Sequence, residues 1–159
     1  MKSKDIVRAG LAGIMSLALA ASASAAALDQ IQYYGTEGEM VILHERDILK
    51  MPPAELEKRL KQVVTFPDRL MAALAKQGIA QANAKQAALK WSYEAGDSLG
   101  YIRYTIEEKM REPRIMPDLP WDKQVENIAE TIRSNAEAAA RVSSLNRAAK
   151  TLVNFVPSN

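Results

Sequence analysis

The sequence has no cysteine. Thiol catalysis, disulfide exchange, cysteine-ligated zinc and covalently attached c-type haem are thereby excluded. It has one histidine, His44, where imidazole metal sites usually want several ligands at defined spacing. A glycine-rich phosphate loop, an HExxH pair and an EF-hand loop are all missing. No nucleophile-elbow motif offers His44 a serine to activate. From these absences neither a metal nor a cofactor is expected, and the balance falls against an enzyme.

Long apolar runs are missing too. The stretch Ala9 to Ala20 is interrupted by Gly10, Gly13 and Ser16 and is too short to cross a hydrocarbon layer of about 30 Å. Lys2, Lys4 and Arg8 precede it, and Ala21-Ser22-Ala23-Ser24-Ala25 follows. A basic start, a short apolar core and small residues at a cleavage point are the layout of a secretory signal. Cleavage is predicted after Ala25, with Ala23 or Ala27 as alternatives. The expected address is the periplasm of a bacterium, or secretion, with no membrane span left after cleavage.

Net charge is the last absence. Residues 1–25 hold three basic residues and one acidic residue, so 18 of 21 Lys+Arg and 18 of 19 Asp+Glu remain beyond them. A neutral chain has no overall electrostatic pull toward nucleic acid or anionic lipid. No nucleic-acid partner is expected.

Residues 31–44, IQYYGTEGEMVILH, open the mature part. Two β-favouring runs, Ile31–Tyr34 and Met40–Leu43, flank Gly35-Thr36-Glu37-Gly38, the pattern of a hairpin with a glycine-bearing loop. A lone hairpin is marginal and must lean on something; an extended arm over a helix is the alternative. Pro52-Pro53 then fits a helix start, and Leu56, Leu60, Val63 and Val64 give a stripe over 53–65. Thr65-Phe66-Pro67-Asp68 has the form of a new cap. It predicts a second short helix over 66–77, burying Leu70, Met71 and Leu74 and ending at Gly78.

One long helix is expected over 79–111, with Ala84, Ala88, Trp91, Ala95, Leu99, Ile102 and Ile106 on one side. Three prolines in EPRIMPDLP, 112–120, must break it. A last helix over 120–155 puts Trp121, Val125, Ile128, Ile132, Ala136 and Ala139 on a single face. Beyond Ser143-Ser144 the apolar side rotates to Leu145, Ala149 and Leu152, as a kink or a change of packing partner would produce. The expected fold is all-α, an antiparallel helical bundle of two long helices and a shorter helix pair. A small N-terminal hairpin or extended arm over 26–50 completes a single domain, 26–159.

WSYEAGDSLGYIRY, residues 91–104, is the most unusual stretch. At 100° per residue the apolar side is Trp91, Ala95, Leu99 and Ile102, and the opposite side is Tyr93, Asp97, Gly100, Tyr101, Tyr104 and Glu108. Gly96 and Gly100 each cost about 1 kcal/mol relative to alanine inside a helix, so something should offset them. Packing of the hairpin or of the first helices over this second side is the plainer expectation. The functional one is a partner surface, because tyrosine gives contact area at low entropy cost.

The linker residues Arg114, Ile115, Met116 and Leu119 are the second candidate. Apolar side chains in a proline-rich connection either plug the end of the bundle, the plainer expectation, or meet another protein. His44-Glu45-Arg46-Asp47 and Glu107-Glu108 read as charged surface with cations at hand. Many alanines in the last helix permit close contacts within the fold or between two copies, so a homodimer stays open.

The LTxxQ repeats of the helical envelope-stress chaperones are absent. No arginine/lysine constellation of the kind secreted chorismate mutases carry can be placed on these helices. The leading expectation is a non-enzymatic interaction module of the envelope (an adaptor, chaperone, inhibitor or immunity-type binder) whose partner is another envelope or exported protein. The partner-contacting residues would be Tyr93, Asp97, Gly100, Tyr101, Tyr104, Glu108, Arg114, Ile115 and Met116. The alternatives are a small-ligand binder with a pocket lined by Tyr93, Tyr101, Tyr104 and Tyr33 or Tyr34, and an acid–base enzyme using Asp97 and Glu108 without a recognisable motif.

Overall fold

The computed structural model describes residues 28–158. The predicted signal, residues 1–25, lies outside the described residues. Strands β1 (Gln30–Tyr34) and β2 (Met40–His44) pair antiparallel, Ile31 against Leu43 and Tyr33 against Val41. In the connecting loop Gly38 holds φ +83°, a conformation glycine reaches without a Cβ clash. A short helix α1 (Glu45–Lys50) follows directly and buries Ile48. Three long helices complete the described chain: α2 (Pro53–Lys76), α3 (Gln81–Lys109) and α4 (Trp121–Val153).

The hairpin leans on the helices. Trp91 on α3 donates its indole N–H to the Gln32 carbonyl at 2.9 Å, and Arg69 on α2 donates to the Tyr34 carbonyl. Helical side chains therefore serve carbonyls that a third strand would otherwise take. On the covered face Tyr33 is fully buried beside Phe66, and Phe66 meets Trp91 edge-on with 4.6 Å between ring centroids. The Tyr33 hydroxyl donates to Gln62 Oε1 at 3.2 Å. Burial pushes the pKa of this phenol up.

The predicted pair of short helices, 53–65 and 66–77, is one continuous helix of 24 residues. Pro67 sits inside it and is buried with Phe66. Proline removes one backbone donor from its turn. Two side chains supply donors nearby: Thr65 Oγ1 bonds the Lys61 and Gln62 carbonyls, and Arg69 bonds the Gln62 carbonyl at 2.9 Å. A cap-like sequence was thus absorbed into a helix, because packing of Phe66 and Pro67 outweighs the lost bond. The end at Gly78 is as predicted. With φ +77°, its N–H bonds the Ala75 carbonyl while the Ile79 N–H bonds that of Leu74, both characteristic of a Schellman cap.

One core joins the elements. Leu56, Leu60, Val63 and Leu70 of α2 meet Leu99, Ile102 and Ile106 of α3 and Leu145 and Leu152 of α4. Helices α3 and α4 run antiparallel: Gly96 lies against Val153 and Ala149, and Arg103 bonds Asn146. Just past the end of α3, the Arg111 N–H and C=O both bond the Asn135 side-chain amide. α3 stops at Lys109, level with the middle of α4, so the first half of α4 runs on beyond it. Among the described residues no helix is long and apolar enough to cross a membrane.

Candidate functional site

α4 carries two apolar faces, and the chain covers one of them. Its second half buries Leu145, Ala148 and Leu152 in the shared core. At 100° per residue, Trp121, Val125 and Ile132 point roughly 140–180° away from that direction. Trp121 is 73% exposed and Ile132 57%. The stripe read as a single face is therefore open at Trp121, Val125 and Ile132, with Ile128 partly buried between them. The apolar side rotates beyond Ser143 because the helix changes what it faces; the helix itself is unbroken from Trp121 to Val153. The charges of the first half lie off the stripe and are met locally, Lys123 by Glu126 and Arg133 by Glu130.

α3 shows the same division. Ala88, Trp91, Ala95, Leu99, Ile102 and Ile106 are buried. Tyr93, Tyr101 and Tyr104 are about half exposed, and Asp97 and Glu108 are exposed. The expected cover, hairpin or first helices over the tyrosines, is not what forms; both pack on the other side of α3. The two glycines differ accordingly. A Cβ built on Gly96 would stand 3.1 Å from Val153 Cγ2, so this glycine admits the close approach of α4. A Cβ on Gly100 would meet nothing within 4 Å.

The two open faces lie on one side of the molecule. α2 packs against both α3 and α4, so that pair has a covered side and a free side. Helical geometry places Tyr93, Gly100 and Tyr104 of α3 on the free side, together with Trp121, Val125, Ile132, Ala136 and Ala139 of α4.

The proline-rich linker adds to this surface. Every residue from Arg111 to Pro120 is exposed, Arg114 among them, and Ile115 is 74% exposed. The linker is therefore not the packed plug expected for the end of a bundle. Clamped to Asn135 at one end, it returns to α4 at Pro120, where Gln124 Nε2 bonds the Leu119 carbonyl at 2.8 Å. Met116 and Leu119 stay open at the tip.

The remaining candidates divide differently. Tyr33 belongs to the core and Tyr34 packs against it, whereas the α3 tyrosines are exposed. Grooves of about 370, 190 and 210 Å³ are lined by residues other than these tyrosines. His44 borders the last of them with Asp29, Glu45 and Lys109. There Glu45 pairs with Lys109 at 2.9 Å, tying α1 to the end of α3, while Glu107 turns to Arg103. Among the described residues no group of three or more histidine, cysteine or acidic side chains is placed to hold a metal ion. Sequence reasoning missed Trp121, Val125 and Ile132 as surface residues. Their helical spacing is that of a buried stripe, and only the rotation of the apolar side after Ser143 pointed elsewhere. No protein-family model, curated protein or solved structure matches this chain.

Proposed function

We propose that the protein is an exported, non-enzymatic interaction module of a bacterial envelope: an antiparallel helical bundle whose free α3–α4 face docks another envelope or exported protein. One observation carries this. The first half of α4 is amphipathic, and its apolar stripe faces away from the chain's own core. An apolar stripe on a helix implies a surface that covers it, and contiguous exposed apolar patches mark interaction sites. Tyrosines and a tryptophan are the side chains interfaces favour. The secretory layout of residues 1–25 supplies the address.

The ligand and enzyme readings have less support. Tyr93, Tyr101 and Tyr104 are spread along an open face instead of converging on a cavity, and Asp97 and Glu108 share that open setting.

The test is a double substitution, Tyr101→Ala with Tyr104→Ala, in cells that export the protein. The half-exposed rings predict an unchanged circular dichroism spectrum and stability within about 1 kcal/mol, together with loss of a protein that co-purifies with the wild type. Unfolding of the variant, or undiminished co-purification, would contradict the proposal.

A further inference from the structure

We infer that the occupant of the α4 stripe is a second copy of this chain, its α4 lying antiparallel across the first about a two-fold axis near Ile128 and Ala129. This rests on the docking-face reading above and names the partner. Three observations point to it.

The first is shape. Along the stripe the large residues come early, Trp121, Val125 and Ile132, and the small ones late, Ala136 and Ala139. An antiparallel copy centred at 128–129 sets each Trp121 against the Ala136 and Ala139 of the other chain, and each Val125 against the other Ile132. Tryptophan meets small side chains at each end, Val125 and Ile132 pack against each other nearer the axis, and a two-fold contact is self-complementary by construction. A parallel arrangement would stack tryptophan on tryptophan and leave a gap between the alanines.

The second is charge. Exposed Ala129 borders the stripe, while Lys123, Glu126, Glu130 and Arg133 pair among themselves off it. A second helix therefore leaves both ion pairs outside the contact and approaches closely over small residues.

The third is extent. In this arrangement the linker tip of the second copy, beyond its Trp121, comes level with Ala139 on the first, two helical turns from the Arg103–Asn146 contact and so toward the Tyr104 end of the α3 patch. With large side chains of about 150–250 Å² each, the exposed parts of the tip, the stripe and Tyr104 amount to on the order of 800 Å², the contribution per partner of a standard stable interface.

Sedimentation of the purified protein across a concentration series tests the pairing. The expected result is a monomer–dimer equilibrium in which Trp121, open in the single chain, shifts its emission to the blue as dimer forms; buried Trp91 supplies a constant background. Ile132→Glu is expected to weaken the dimer by at least about tenfold, with a thermal midpoint equal to the wild type's at concentrations where both are monomers. Because the chain has no cysteine, Ala129→Cys gives an independent readout on a residue exposed in the monomer. Near the two-fold axis it is expected to oxidise to a covalent dimer, whereas Val125→Cys alone is not and Val125→Cys mixed with Ile132→Cys is. A monomer at every concentration, or cross-linking from Val125→Cys alone, overturns the antiparallel pair. If that monomer still loses its co-purifying protein on Ile132→Glu, the docking face stands with a different occupant; if it loses nothing, both fail.

Discussion

Arg141 serves two backbone carbonyls at once, those of Ile48 and Met51, and so fastens α4 to the junction of α1 and α2. Nothing in the sequence marks it, since an arginine among alanines on a long helix reads as a solvated residue. The two acceptors lie 93 and 90 residues away, and carbonyls do not show in a side-chain pattern. Trp91 was legible as core but not as the donor that holds β1, for the same reason. Glu94 illustrates a cost at this scale. Partial burial raises its pKa, and Lys90 at 4.0 Å only partly opposes the shift. A carboxyl that holds its proton more tightly when folded makes the folded state bind more protons than the unfolded one, so stability falls as pH rises through that range. Glu94→Gln is therefore expected to raise the thermal midpoint at neutral pH. The gain should shrink as pH drops toward and below the ordinary carboxylate range, where the native side chain is protonated in both states. A gain independent of pH, followed by thermal melts across the series, would assign the effect to something other than ionisation.

At the scale of elements, the sequence pattern revealed α3, α4 and the hairpin, and split α2 in two, but did not show which flank is covered. A stripe of Trp121, Val125 and Ile132 has the same spacing whether buried or open, because spacing records only that the residues share a side. The distinction came from packing partners: α2 and α3 both sit on the other sides of α4, and among the described residues no element covers the stripe. Pro67 misled for a related reason. Proline and a cap-like Thr65 signal a break when taken alone, and the buried Phe66 and Pro67 hold the helix together when packed. The glycines of α3 give an element-level prediction. Gly100 gains nothing from the fold in return for its lower helix propensity, since open space surrounds its missing Cβ. Gly100→Ala should thus stabilise the isolated protein by about 1 kcal/mol in urea unfolding while weakening whatever docks beside Tyr101 and Tyr104. Destabilisation would mean that the position is more crowded in solution than its surroundings indicate.

At the scale of the molecule, one core organises α2, α3, the hairpin and the second half of α4, and an apolar projection stands outside it. The sequence conveyed the helical class and the place of export as an expectation, and it marked both Tyr101–Tyr104 and Ile115–Met116 as unusual. That Tyr104 and the linker open toward the same pair of helices was out of its reach, because their placement follows from the antiparallel seating of α3 on α4 and from the Asn135 clamp on Arg111. The decisive measurement is site-specific photo-crosslinking in exporting cells, from a photoreactive residue at position 125 on the stripe and, as its control, at position 130 on the charged side of the same helix. An adduct from 125, to a second copy or to another polypeptide, with none from 130 is the predicted result. Equal labelling from both positions, or adducts from 130 alone, would show that the exposed stripe of α4 is not a docking surface.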